Sequence, residues 1–197
     1  MSYTGQRVKF SARFVGIINP IVGFLYRFNI GPNHLSVTGT AFCAAAAAMI
    51  VYGEFFWAGI LYLIGSLFDV FDGAMARLIQ KETQFGAFLD SVLDRVGEGL
   101  IFVALIHFYS TQSKPLIATV AAALLLNSFL SSFTRVKAES FLMECRIGLV
   151  TRPERVMLTC AGLLLDIMGF LIFILFVLST LTVLQRVIHV GNLAKDE

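Results

Sequence analysis

The chain has 197 residues, of which 57% are hydrophobic and only 14% are charged. Soluble globular domains carry roughly 25% charged residues, so the composition excludes an ordinary soluble domain and predicts a membrane protein. The formal net charge of +2 says little by itself, and no nucleic-acid partner is expected.

The first 30 residues predict an amphipathic helix that lies on the membrane surface. The segment places apolar side chains between four basic residues, which are Arg7, Lys9, Arg13 and Arg27. This mixture is typical of a helix that binds the anionic inner leaflet. The same charges argue against a further membrane span.

Apolar stretches after this segment predict the transmembrane helices, since a span needs about 20 apolar residues. The predicted helices cover residues 35–52, 55–79, 85–108, 115–134, 156–165 and 167–185. The part from 156 to 185 is open to two interpretations, one long helix or a tight hairpin that breaks near Asp166.

The distribution of basic residues favours the hairpin. Six spans place every lysine and arginine except Lys114 on one side, as the excess of positive charge in cytoplasmic loops requires. Five spans would move Arg186 and Lys195 to the opposite side. The sequence therefore predicts an all-α integral membrane protein with six transmembrane helices plus an N-terminal amphipathic interfacial helix, and both termini cytoplasmic. The predicted organisation is an interfacial helix (1–30), a membrane domain (31–188) and a flexible tail (189–197).

Four carboxylates interrupt the apolar sequence where the second predicted span ends and the third begins. They are Asp69, Asp72, Asp90 and Asp94. Spacings of three and four residues put each pair on one face of a helix, and the short turn between the helices makes them antiparallel neighbours. Carboxylates are costly in hydrocarbon, and an oxygen-only site for two divalent cations removes that cost. Such a site suits displacement at phosphorus.

Three residues beside the acids have two interpretations each. A glycine inside a helix costs about 1 kcal/mol relative to alanine, so Gly73 and Gly86 indicate the close approach of a ligand phosphate or of another helix. Arg77 either clamps a phosphate or anchors its helix at the cytoplasmic face. On the third helix, Glu98 either supports the metal ligands or pairs with a charge on another helix.

Basic residues also collect in a charged stretch from residue 135 to 155 and at the end of the last span. They are Arg135, Lys137, Arg146, Arg152, Arg155 and Arg186. An acceptor alcohol that carries a phosphate would need several such donors. The positive charge of cytoplasmic loops would also produce this pattern, so both interpretations stay open for Lys137 and Arg146.

The run D-x2-D-G-x2-A-R-x8-G-x3-D-x3-D, over residues 69–94, resembles the signature of the CDP-alcohol phosphotransferase family at every signature position. Four further segments, at residues 85–97, 132–139, 152–155 and 181–186, resemble the branch that uses inositol phosphate. The resemblance implies a homodimer that transfers a phosphatidyl-type group from CDP-diacylglycerol or CDP-archaeol and releases CMP. The implied acceptor is a phosphorylated polyol, inositol phosphate, with glycerol-3-phosphate as the alternative acceptor.

The resemblance also implies roles for individual residues. Two divalent cations, Mg²⁺ or Mn²⁺, would be held by Asp69, Asp72, Asp90 and Asp94, and Asp94 would be the general base. The CDP-lipid would be bound by Gly73, Arg77, Thr83 and Gly86. The acceptor phosphate would be bound by Arg135, Arg152, Arg155 and Arg186.

Two other classes of protein share some of these features. A cation or proton transporter also uses intramembrane acids, but these acids cluster at one interface instead of forming a path across the membrane. An intramembrane prenyltransferase also binds diphosphates at acidic motifs, but its fold needs a longer chain, and the glycines and arginine here follow a different pattern.

Overall fold

The computed structural model of the protein describes residues 31–78 and 83–195, and these residues form six α-helices without any strand. The helices are α1 (Pro32–Val51), α2 (Phe55–Leu78), α3 (Gln84–Thr111), α4 (Pro115–Ser140), α5 (Arg152–Leu164) and α6 (Met168–Leu193). The predicted all-α class is confirmed. The interfacial helix predicted for residues 1–30 lies outside the described residues.

Four of the described helices are long and apolar enough to cross a bilayer. They are α1, α4, α6 and the part of α2 from Phe55 to Ala76. Large apolar side chains on their outer faces are exposed, for example Phe129 and Phe170, as expected where lipid is the solvent. The protein is therefore an integral membrane protein, whereas the count of six spans stays a prediction.

The segment from 156 to 185 contains two helices and not one. Helix α5 ends at Leu164 and α6 begins at Met168, and Asp166 between them has a positive φ of 54°. The two helices pack against each other. A Cβ atom on Gly162 would lie 2.8 Å from the Met168 sulfur, so the two helices pack closely beside the turn.

Three helix ends differ from the prediction. Helix α4 continues to Ser140 and α5 begins at Arg152, so both ends of the charged stretch from 135 to 155 are helical and the loop is limited to residues 141–151. The apolar criterion ended the helix too early because charged residues are also good helix formers, and Arg135 pairs with Glu139 one turn later. Helix α6 likewise continues past residue 188 to Leu193.

The described residues divide into two compact units, and the first contains residues 31–42, 64–78 and 83–97. Its described core contains Leu35 and Met75, both buried. Helices α1 and α2 come so close here that a Cβ atom on Gly39 would lie only 2.9 Å from the carbonyl oxygen of Gly65. Small residues permit this backbone approach, as in other membrane bundles.

The second unit contains residues 43–63 and 98–195 and the larger apolar core. Its buried side chains come from all six of the described helices and include Ile50, Tyr62, Leu105, Leu124, Leu163 and Ile172. Helix α4 packs along α6, and α5 packs on α6. This packing positions the polar residues of α4, α5 and α6.

Substitution of Gly39 by alanine tests the close approach of α1 and α2. We expect Gly39→Ala to lower the stability by about 1–3 kcal/mol, because the new methyl group would press on a backbone carbonyl that has no rotamer to change. The matched control is Gly99→Ala, where a Cβ atom would meet nothing within 4 Å and helix propensity should add roughly 0.5–1 kcal/mol. Thermal unfolding in detergent measures both changes, and equal shifts for the two variants would contradict the assignment.

Candidate active site

Three of the predicted carboxylates come together in the first unit. One oxygen each of Asp69, Asp72 and Asp90 lies within 4.8 Å of the others. Helix α2 supplies the first two acids and α3 the third, and Asp72 is buried while the other two are half-buried. Oxygen donors at these distances fit a hard divalent cation, which prefers carboxylate ligands. The donor set is thus suited to Mg²⁺ or Mn²⁺.

Asp94 does not belong to this group of three and lies one helical turn after Asp90 on α3. Its side chain is only 11% exposed, and its Oδ2 atom lies 3.8 Å from Nη1 of Arg95. The same Arg95 nitrogen donates a hydrogen bond of 2.7 Å to the carbonyl oxygen of Ser91. Asp94 is thus a shielded carboxylate beside the three-acid group, which is a suitable position for a base.

Ser36 is a site residue that the sequence analysis missed. Its hydroxyl group donates a hydrogen bond of 2.5 Å to Oδ2 of Asp72, and both residues are buried. This bond fixes the orientation of one carboxylate of the three-acid group. The only signal in the sequence is a polar residue near the start of an apolar helix, and such serines commonly bond to their own backbone.

The residues expected to bind the CDP-lipid lie at the end of α2 and the start of α3. Gly73 follows Asp72 on α2, while the side chain of Arg77 is outside the described part of the structure. Thr83 caps α3, since its Oγ1 atom accepts a hydrogen bond of 2.9 Å from the backbone N–H of Gly86. A Cβ atom on Gly86 would lie 2.9 Å from the same oxygen, so any side chain at this position would press on the capping hydroxyl group.

Arg155 is buried in the second unit and forms an ion pair with Glu98. Its Nε and Nη2 atoms donate hydrogen bonds of 2.8 and 3.1 Å to the two carboxylate oxygens of Glu98. Nη2 also donates a hydrogen bond of 3.1 Å to the hydroxyl oxygen of Ser128. The sequence left open whether Glu98 supports the metal ligands or pairs with a charge on another helix. The structure shows the ion pair between helices.

Arg186 is buried on α6 and holds the loop of residues 141–151. Its Nε atom donates a hydrogen bond of 2.9 Å to the carbonyl oxygen of Ile147, and Nη1 donates to the carbonyl and hydroxyl oxygens of Ser131 on α4. Thr182, one turn earlier, accepts a hydrogen bond of 3.0 Å from the backbone N–H of Val150. The loop is therefore fixed to the end of α6.

The four arginines expected at the acceptor phosphate differ in their surroundings. Electrostatic interactions link Arg186 to Arg135 and Arg155, so these three groups share one region of the second unit. Arg135 is exposed and pairs with Glu139 at 2.9 Å. Arg152 is half-buried in the first turn of α5. The structure thus brings basic residues of α4, α5 and α6 together, with two of them buried.

A scan against protein-family models matches residues 29–191 to the CDP-alcohol phosphatidyltransferase model. The chain belongs to the CDP-alcohol phosphatidyltransferase family. The match covers most of the chain and includes all the site residues described above. The resemblance inferred from the sequence is confirmed.

Relatives within the family carry informative names. A phosphatidylinositol phosphate synthase of Mycobacteroides abscessus is 32% identical, over 88% of this chain and 83% of that protein. An archaetidylinositol phosphate synthase of Methanothermobacter thermautotrophicus is 32% identical, over 90% of each chain. The similarity extends over nearly the whole length of both proteins and is not confined to the acidic signature.

Crystal structures of the phosphatidylinositol phosphate synthase of Mycobacterium tuberculosis have the same fold. The structure with CDP-DAG bound has a TM-score of 0.82 and 27% identity, and the match covers 88% of this chain and 93% of that one. A second structure of that enzyme, with manganese and citrate, has the same TM-score and identity and covers 88% of each chain. A manganese ion in that relative agrees with the oxygen donors found here.

The role of Ser36 in this member of the CDP-alcohol phosphatidyltransferase family is tested by metal affinity. We expect Ser36→Ala to weaken Mn²⁺ binding about tenfold, because the Asp72 carboxylate loses the group that orients it. Titration followed by electron paramagnetic resonance measures this without a turnover assay. The matched control is Thr38→Ala on the same helix, since Thr38 is exposed and its hydroxyl group donates a hydrogen bond to the carbonyl oxygen of His34. Unchanged affinity in both variants would refute the role.

Proposed function

We propose that this protein transfers the phosphatidyl group of a CDP-lipid to a hydroxyl group of inositol phosphate and releases CMP. The observation that carries the proposal is the group of Asp69, Asp72 and Asp90, within 4.8 Å of one another at the signature positions of the family. The names of the relatives support inositol phosphate as the acceptor. The CDP-DAG bound to the M. tuberculosis enzyme supports a CDP-lipid as the donor.

In this proposal, the acids Asp69, Asp72, Asp90 and Asp94 hold two divalent cations, Mg²⁺ or Mn²⁺. Bound cations would neutralise the charge of the diphosphate and stabilise the charge that develops at phosphorus. Gly73, Arg77, Thr83 and Gly86 bind the CDP portion of the donor. The three-acid geometry and the manganese in the crystallised relative support this assignment.

Asp94 takes the proton of the acceptor hydroxyl group. The freed oxygen forms a bond to the lipid-side phosphorus, and the bond from that phosphorus to the bridging diphosphate oxygen breaks. The electron pair of this bond leaves with CMP, so atoms and charge balance without any other reactant. The position of Asp94, one turn beyond Asp90 and largely shielded from solvent, supports its role as the base.

Arg135, Arg152, Arg155 and Arg186 bind the phosphate of the acceptor. A phosphate dianion needs several charge-assisted hydrogen bonds, and guanidinium groups supply them in a planar fork. The electrostatic coupling of Arg186 to Arg135 and Arg155 supports a shared role. The part of the site that holds the acceptor thus comes from the last three helices.

We also propose six transmembrane helices with cytoplasmic termini, an interfacial helix over residues 1–30 and a homodimer. The distribution of basic residues and the family resemblance support this arrangement. Helix α5, with 13 residues, is about 20 Å long and thus shorter than the hydrocarbon layer of about 30 Å. In this topology, Arg152 and Arg155 lie in the first turns of α5, at its cytoplasmic end.

The acceptor is tested with purified protein in detergent, a CDP-lipid (CDP-diacylglycerol or CDP-archaeol) and one candidate alcohol at a time. We expect CMP release that depends on inositol phosphate and stops when EDTA removes the cations. Faster transfer to glycerol-3-phosphate would replace the proposed acceptor while retaining the reaction. Absence of CMP release with any phosphorylated polyol would overturn the proposed function.

Replacement of Asp94 by asparagine tests the proposed base. We expect Asp94→Asn to lower kcat by roughly 10²–10⁴-fold, because the amide cannot accept the proton of the attacking hydroxyl group. The variant should still be extracted from membranes as folded protein. The control is Asp166→Asn, at the turn between α5 and α6, which should retain activity. Full turnover in Asp94→Asn would rule out this residue as the base.

A further inference from the structure

The two hydrogen bonds between Arg155 and Glu98 fix the plane of the guanidinium group. They join Nε and Nη2 of the arginine to the two oxygens of one carboxylate, at 2.8 and 3.1 Å. This parallel arrangement has a single planar geometry, unlike the contact of a lysine ammonium group. The side chains are 1% and 5% exposed, so neither group has water as an alternative partner.

One corner of the guanidinium group is left for another molecule. Nε and Nη2 are used by Glu98 and Ser128, whereas Nη1 is buried and has no hydrogen-bond partner among the described residues. A buried donor without an acceptor is unfavourable, so Nη1 marks a place where an acceptor atom belongs. The orientation of this corner depends on Glu98, which lies on a different helix.

The sign of the charge on Glu98 makes its role testable. A carboxylate close to a group that binds a phosphate dianion repels that phosphate, so electrostatics alone would make Glu98 unfavourable for the acceptor. Arg135 and Arg186 lie in the same region and increase its positive charge. Loss of the Glu98 charge would therefore tighten phosphate binding if only charge mattered.

We propose that Glu98 is a positioning residue for the acceptor, which holds Arg155 so that its Nη1 atom faces the acceptor phosphate. This inference rests on the proposed role of Arg155 in phosphate binding. Glu98 does not touch the substrate in this proposal and acts only through the arginine. Ser128 completes the arrangement as the second partner of Nη2.

The first experiment compares Glu98→Gln with the unmodified protein. We expect KM for inositol phosphate to rise about tenfold, since the neutral amide cannot keep both charge-assisted bonds to Arg155. KM for the CDP-lipid and kcat should stay within about twofold. The matched control is Glu144→Gln, which breaks an exposed pair with Arg146 and should change neither constant. An unchanged or lowered KM for inositol phosphate would overturn the proposal.

A double-mutant cycle separates positioning from a merely structural role. The variant with both Glu98→Gln and Arg155→Gln contains no unpaired buried charge, so it should fold even where Glu98→Gln alone does not. We expect Glu98→Gln to leave KM for inositol phosphate unchanged in the Arg155→Gln background, since it acts through that arginine. An increase as large as in the unmodified protein would refute the proposal. If Arg155→Gln alone leaves KM for inositol phosphate unchanged, Arg155 does not bind the acceptor phosphate. The transfer reaction is tested separately, by the release of CMP.

Discussion

The need to compensate charge inside an apolar bundle governs where this protein places its polar residues. Hydrocarbon supplies no counter-charge and no hydrogen bonds, so each buried ion must find both within the chain or in a ligand. The two units meet this need differently. Asp72 lies close to two other carboxylates, and a bound cation could compensate their charge. Arg155, in contrast, is neutralised inside the protein by Glu98. The carboxylates of the first unit could therefore hold a cation that the chain does not contain, whereas the charge of Arg155 is already balanced within the chain.

The same constraint explains the polar residues that face the core from α4 and α6. Arginine has five N–H donors, and a buried arginine must find hydrogen-bond acceptors for most of them. Arg186 does so with carbonyl oxygens as well as a serine, and this links α6 to both α4 and the loop of residues 141–151. A residue expected from the sequence to bind phosphate thus also holds the backbone around it. Its substitution would affect binding and loop structure together, which makes Glu98 a cleaner probe of the acceptor site.

The features that could be predicted from the sequence are those that depend on neighbouring residues along the chain. The three-acid group follows from helical spacing within α2 and α3, together with the closeness of these two helices along the chain. The bond between Ser36 and Asp72 and the pair of Arg155 with Glu98 join residues 36 and 57 positions apart. Such contacts depend on how each helix is rotated against the next. Spacing along one helix does not determine that rotation, so these partners could not be predicted.

Burial distinguishes arginines that the sequence alone makes equivalent. Basic residues at a cytoplasmic face orient a membrane protein, and exposed side chains such as Arg146 serve that purpose without a desolvation penalty. Arg155 is almost fully buried, and its pair with Glu98 could be replaced by apolar residues with little loss of stability, as is common for buried ion pairs. Neither topology nor stability therefore requires a charge at this position. The acceptor phosphate of the proposed function does require one, and this proposal would account for an arginine in the core of a membrane bundle.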